Sequence, residues 1–434
     1  MVDAAQLPAP EALDDSASLT DAPLTRAQRR RQGKGVQKPR HFPCFDGLRA
    51  IAAVLVVMVH TSFGSGFTLR SWAGIYTARL EIGVSVFFLI SGFLLYRPFA
   101  ASHIAGAPSP AVGRFWARRF LRIMPAYWLA FVVTSYVMHA NPKVLPGWHS
   151  VLIYLGLVQV YIPSHALTGI SQSWSLDTEI AFYLFLPLWA ALVGLRRRSD
   201  RSQLTRELTA LAALYVVGLA VRFGLFNMHS PTANVATEWL PACFDLFALG
   251  MGLAVLSSWV AHRGAPPRWL GNPLFPWVSW GLAIGLLWAV AHIGVSPVPL
   301  TRDTPWRGVF QELLYGLFAF FLLLPAVFGP QRKGLIRRAL QSPPMVGLGV
   351  VSYGVYLWHQ AWGQEFLRWT HAIFRVAFPE MLGVVLALSI ATATASYLIV
   401  ERPLLKLKDR LGWWGGTRRA GPSAPVAPLG PAEA

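Results

Sequence analysis

Gly47-Leu48-Arg49-Ala50-Ile51-Ala52-Ala53-Val54-Leu55-Val56-Val57-Met58-Val59-His60 is the stretch from which the fold follows. It belongs to an apolar run, about 47–66, that is long enough to cross a bilayer, yet it carries Arg49 and His60. A helix turns about 100° per residue, so the eleven residues between them make about three turns plus 20°. Both side chains therefore project from one face, about 16 Å apart along the axis. An ionisable residue in a spanning helix is costly, which makes it a functional-site hypothesis by default. Two on one stripe suggest a polar track through the bilayer, the alternative being a structural pair that lines a bundle interior.

Working outward, the rest of the chain repeats the pattern. Hydrophobic residues make up 54% of the 434 residues and charged ones 13%, with a mean hydropathy of +0.44. This is the composition of a polytopic, all-α membrane protein. A spanning helix needs about 20 mainly apolar residues. Ten runs qualify, at about 47–66, 82–97, 120–139, 174–195, 208–228, 240–261, 273–295, 308–328, 344–363 and 381–400. A shorter apolar stretch, 148–163, holds His149 and Pro163 and reads as re-entrant or interfacial.

The basic residues orient these runs. With both termini in the cytoplasm, the inner segments hold 29 Lys and Arg, and the outer loops hold 7. That bias obeys the positive-inside rule. Counting 148–163 as a span would put Arg196-Arg197-Arg198 outside and break it. The net charge of +18 is thus mostly a topological signal plus attraction to anionic inner-leaflet lipid. No folded basic module points to nucleic acid. The expected location is the cell (plasma or inner) membrane, with multiple passes. Residues 1–44 read as a disordered basic cytoplasmic tail without a signal-peptide core, 45–404 as the membrane domain and 405–434 as a second disordered cytoplasmic tail. Cys44 and Cys243 make neither a metal spacing nor a disulfide framework. No metal is called for.

Candidate chemistry clusters in a few places. Gly83, Ser85, Ser91 and Gly92 are small residues that let another helix or an acyl chain approach. Arg114, Arg118, Arg119 and Arg122 gather at the inner mouth of the third run. Part of that is ordinary positive-inside decoration, but Arg119 and Arg122 are neighbours on a helix face. The planar guanidinium suits phosphate oxygens, so a phosphorylated cytoplasmic ligand can be held here with Arg49. At the outer start of the fourth run, Ser175 with Thr178 and Glu179 approximates a capping box. Asp177 and Glu179 then either favour the positive helix N-terminus or, with Trp174 and Tyr183, form an outward-facing acceptor site suited to a sugar. Ser352, Tyr353, Tyr356 and His359 mark the ninth run, and Glu401 with Pro403 ends the tenth. Arg222, Asp245 and Glu312 are further intramembrane charges able to pair with one another.

Six of these groups, in order, resemble the signatures of the acyltransferase-3 family of integral-membrane acyltransferases. They are Asp46-Gly47-Leu48-Arg49 with His60, Gly83-Val84 through Phe87-Phe88 to Ser91-Gly92-Phe93, and Arg119 through Arg122-Ile123 to Pro125 and Tyr127. Trp174-Ser175-Leu176 with Glu179 and Phe182-Tyr183, Ser352-Tyr353 with Tyr356-Leu357 and His359, and Glu401 with Pro403 complete the set. Ala50 stands where many members carry Gly, and the long basic N-terminal tail falls outside the pattern.

The resemblance implies transfer of an acyl group, usually acetyl, from acyl-CoA to a hydroxyl. Acceptors in such a family are envelope glycans, glycolipids or macrolides. It implies acetyl-CoA as donor substrate, no bound cofactor, and His60, Arg49 and Glu179 as catalytic residues. Arg119, Arg122, Tyr127, Trp174, Tyr183, Tyr353 and His359 become substrate-binding candidates. Some members carry a fused extracytoplasmic domain; this chain is expected to lack one, so a partner completing transfer would be separate. His60 is read as general base, an unperturbed imidazole titrating near neutrality. Tyr127, Ser352 and Tyr353 are the candidate oxyanion donors. The rival class is a transporter or flippase of an acylated or lipid-linked glycan, for which paired internal repeats are expected and none is found.

Overall fold

Among the described residues, ten long helices account for the ten apolar runs. The computed structural model describes residues 42–406 apart from 141–143, 145–146, 196–198, 229, 265–266, 297–303, 332 and 405. Residues 1–41 and 407–434, which make up nearly all of both proposed tails, and Arg196-Arg197-Arg198 lie outside the described residues; Phe42 and Cys44, placed in the first tail by the sequence, are instead buried, and Cys44 opens the first helix. The helices are α1 (Cys44–Ser65), α2 (Ile82–Ala105), α3 (Val112–Val132), α4 (Trp174–Gly194) and α5 (Asp200–Asn227). They continue as α6 (Phe244–Arg263), α7 (Phe275–His292), α8 (Pro305–Val327), α9 (Pro343–Thr370) and α10 (Phe378–Ser396).

Nine of these, all but α9, are long and apolar enough among the described residues to cross a membrane. α9 has the length, at 28 residues, but carries Ser352, Tyr353, His359 and Gln360 on its course. The 148–163 stretch contains an eight-residue helix, Trp148–Leu155. Eight residues rise only about 12 Å, which is too short to span.

Burial separates the centre from the rim. In the apolar stretches of α2 and α6, 72% of residues are buried, against 22% in those of α5 and α10. α2 packs on α1, α6 and α8, and α9 on α1 and α10. Outside, Leu184, Leu188 and Leu192 of α4 are exposed one turn apart, a stripe at helical spacing that a bilayer would cover. The α2–α6 contact is backbone to backbone. A Cβ at Gly250 would stand 2.2 Å from the Leu89 carbonyl oxygen, and one at Gly92 2.6 Å from that of Phe247. Any side chain at either position would push the two helices apart.

Polar braces tie the helices where apolar packing alone gives no register. Arg222 of α5 pairs with Asp245 of α6 at 3.2 Å and Glu312 of α8 at 3.4 Å, and it also donates to the Ala242 carbonyl. The three intramembrane charges therefore do pair with one another. Toward the other end of α5, buried Glu207 meets His103 Nδ1 at 2.6 Å and accepts from Gln203 and from Tyr96. Those bonds explain why α5 begins at Asp200, eight residues before the apolar run: its polar first turns are used. α3 likewise begins at Val112 instead of residue 120. Hydropathy marks the slab that a helix crosses, and a helix continues past it while its polar residues find partners or water.

Candidate active site

Five helices converge on one cavity of about 340 Å³. α1 contributes Arg49, α2 Ser91, α3 Arg119 and Arg122, α4 Glu179 and Tyr183, and α9 Ser352, Tyr353 and Tyr356. The apolar wall includes Val84, Phe87, Phe88 and Leu94. Among the sequence-derived candidates, Arg49, Glu179, Arg119, Arg122, Tyr183 and Tyr353 are thus brought together. The early start of α3 is the cause. Arg119 and Arg122 sit two to three turns inside the helix, not at its mouth, and there they meet Glu179 descending from the start of α4. The inner arginine site and the outer carboxylate site are therefore one place.

Three guanidinium groups and one carboxylate give the cavity a positive balance. Arg49 reaches Asp46, one turn back, only at 3.5 Å. It interacts electrostatically with Arg122, Asp46, Glu179 and Arg119. Glu401, in the π-helical turn Tyr397–Glu401 that follows α10, is within electrostatic reach of Arg122. Glu179 Oε1 accepts a 2.5 Å hydrogen bond from Ser91 Oγ. Arg119 Nε is buried with no partner among the described residues. A buried unsatisfied donor calls for an explanation; Arg79 and Arg222 leave the same atom unpartnered within structural braces, whereas that of Arg119 belongs to a residue lining the cavity, where an anionic ligand fits. A second cavity of about 230 Å³ shares Leu94, Leu95 and Arg119 with the first, and adds Arg114 and Arg118.

The other candidates lie outside this lining. Tyr127 is fully buried, its hydroxyl donating to the Tyr154 carbonyl at 2.8 Å. Trp174 stands edge-on to Phe88, ring centroids 6.2 Å apart. His60 and His359 form a pair of their own, with His359 Nε2 3.2 Å from His60 Nδ1. The pair adjoins the cavity across Tyr356, whose ring is 5.8 Å from that of His359. His359 is buried at 1% exposure, while His60 is exposed.

Two local expectations are corrected. The first turn of α4 has no side-chain cap: Ser175 Oγ is 2.7 Å from the Tyr356 hydroxyl, and Glu179 turns to Ser91. Asp177 does serve the backbone, accepting from the Val160 N–H at 2.9 Å and tying the preceding loop to α4. The three supposed oxyanion donors are also committed. Ser352 donates to the Gly349 carbonyl and Tyr353 to that of Ile123, at 2.8 and 2.9 Å, as Tyr127 does to Tyr154.

Sequence reading missed the roles of Ser91 and Tyr356. Ser91 read as a packing residue, and nothing local links it to Glu179, 88 positions away. Both cysteines are buried and unpaired.

A family model described as an acyltransferase domain matches residues 42–401. Acyltransferase MdmB of Streptomyces mycarofaciens is 27% identical over 85% of this chain and 93% of that protein. Exopolysaccharide production protein ExoZ of Rhizobium meliloti is 29% identical over 75% of this chain and 89% of that protein. Peptidoglycan O-acetyltransferase OatA of Listeria monocytogenes is 24% identical over 85% of this chain, which spans 56% of that protein. No solved structure matches. With a family match that covers nearly all the described residues, on a bundle of apolar helices enclosing an arginine-lined cavity beside a histidine pair, the chain belongs to the acyltransferase-3 family and is a multi-pass membrane acyltransferase.

Proposed function

We propose that the protein moves an acetyl group from cytoplasmic acetyl-CoA to a hydroxyl of a carbohydrate-containing acceptor, an envelope glycan, glycolipid or macrolide, with His60 as general base. The observation that carries this reading is the convergence of Arg49, Arg119 and Arg122 on one cavity, with a buried guanidinium nitrogen left unpartnered. Coenzyme A is polyanionic, and guanidinium forks bind phosphate oxygens in two-point fashion. The smaller cavity extends the larger past Leu94 and Leu95 toward Arg114 and Arg118, which supports a long, thin ligand lying along both. The names of the relatives, an O-acetyltransferase among them, support acetyl as the group transferred.

His60 supplies the base. A hydroxyl attacks a thioester carbonyl only as its proton leaves, and a positioned base contributes about 10²–10⁴-fold. The arginines bind the donor, and Glu179 holds the register of α4 on α2 through Ser91 while balancing their charge. Transfer takes place where the histidine pair adjoins the cavity, across Tyr356.

The test is acetyl-CoA handling by the purified protein in lipid nanodiscs. His60→Ala should abolish CoA release and keep acetyl-CoA binding, whereas Arg49→Ala should weaken binding first. Wild-type turnover by His60→Ala removes the base assignment. A folded wild type that binds no acetyl-CoA and releases no CoA favours the transporter reading.

A further inference from the structure

The histidine pair holds more information than its distance. His60 Nδ1 lies 2.8 Å from the Val56 carbonyl oxygen and 3.2 Å from His359 Nε2. His359 Nδ1 lies 2.7 Å from the Tyr356 carbonyl oxygen. A carbonyl can only accept, so in both neutral rings Nδ1 carries the hydrogen and Nε2 the lone pair. His60 Nδ1–H is then shared between Val56 and His359, and His359 Nε2 is its acceptor. The one ring nitrogen left uncommitted is His60 Nε2, on the exposed member of the pair.

His359 is itself held in place. It is buried at 1% exposure. Gln172 Nε2 donates to the carbonyls of Tyr356 and Leu357 at 3.2 and 3.0 Å, and the Tyr356 hydroxyl donates to the Gln172 carbonyl at 2.7 Å. The α9 backbone beneath His359 is thus pinned to the loop that enters α4. No carboxylate hydrogen-bonds to either ring among the described residues, so the partner of the base is a neutral acceptor.

We propose that His359 is a positioning residue for His60: it orients the ring, fixes Nε2 as the basic nitrogen, and shares the positive charge that His60 gains during transfer. This rests on the reading of His60 as general base. The acceptor hydroxyl gives its proton to His60 Nε2 as its oxygen bonds to the thioester carbonyl carbon. The C–S bond then breaks, and the departing thiolate takes the proton back from Nε2. His60 ends neutral, and His359 exchanges no proton. While His60 is charged, its Nδ1–H bond to His359 Nε2 becomes charge-assisted and stronger.

The experiment uses the full chain in nanodiscs, with acetyl-CoA as donor, and compares His359→Phe and His359→Gln. The glutamine amide oxygen can accept from His60 Nδ1–H, and phenylalanine cannot. His359→Phe should lower kcat about 10- to 100-fold, with KM for acetyl-CoA unchanged within about twofold, and His359→Gln should restore most of the loss. An unimpaired His359→Phe overturns the proposal while leaving His60 as base. Equal losses in both variants with a raised KM indicate packing alone and overturn it too. A readout independent of turnover is the ¹⁵N spectrum of histidine-labelled protein. In the wild type both rings should show protonated Nδ1 and bare Nε2, and the His359 Nε2 signal should move toward that of a free lone pair in His60→Ala. Absence of that movement refutes the pairing. A wild type that releases no CoA sinks the acyl-transfer reading, and with it the role of His359.

Discussion

Ser91 of α2 donates to Glu179 of α4 across 2.5 Å, and so places a carboxylate against the three arginines that line the same cavity. That charge is available to offset theirs when no anion is bound. It opposes an anion once one arrives.

Replacing it separates these two effects. At an effective dielectric constant of about 20, unit charges roughly 8 Å apart interact by about 2 kcal/mol, less with solvent screening. Glu179→Gln should therefore bind CoA about tenfold more tightly and transfer more slowly, product release being held back. Calorimetry of CoA binding in nanodiscs reads the first, and CoA release the second. Unchanged or weaker CoA affinity would remove Glu179 from the donor site.

The buried Nε of Arg119 sets a second expectation. Lysine keeps the charge and loses the fork. Arg119→Lys should weaken CoA binding by about tenfold or more, a charged hydrogen bond being worth about 1.5–3 kcal/mol. Arg118→Ala, at an exposed position on the smaller cavity, should cost about threefold or less and fade with added salt. Wild-type affinity in Arg119→Lys would show that only charge matters there.

The brace around Arg222 bears on stability instead of chemistry. Arg222→Met leaves buried Asp245 and half-buried Glu312 without their cation, a loss of about 3–5 kcal/mol. Thermal inactivation in nanodiscs should come markedly earlier, and adding Asp245→Asn should recover part of the difference. A single variant as heat-resistant as the wild type would show that water reaches those carboxylates.

The helices were legible because hydropathy is a local property: each of the ten apolar runs overlaps one long helix. Their polar ends were not. α3 and α5 each begin eight residues early, where Arg119 and Glu207 have work to do that only a distant partner reveals. The site was legible as a set of residue types and not as an arrangement. Arg49, Arg119 and Arg122 stood out by charge in an apolar setting, whereas the Ser91–Glu179 bond joins residues 88 apart, and the histidine pair residues 299 apart. His359 read as a substrate contact through the family resemblance, and only its geometry shows it facing His60. The capping pattern at Ser175 failed because α4 already begins at Trp174, which puts Ser175 inside the helix with its hydroxyl bonded to that of Tyr356.

The glycine contact between α2 and α6 bears on how this scaffold can diversify. Gly92 and Gly250 weld one wall of the cavity, the wall that carries Ser91, to the most buried part of the bundle. That wall cannot retreat, and it cannot be enlarged by a single substitution at the weld. Room for a bulkier acyl chain has to come from lining side chains away from the glycine contact, such as Phe87 of α2 or Ile123 of α3, whose replacement leaves that backbone contact in place. Libraries aimed at new donor specificity should therefore be concentrated around Phe87 and Ile123 and should spare Gly92 and Gly250.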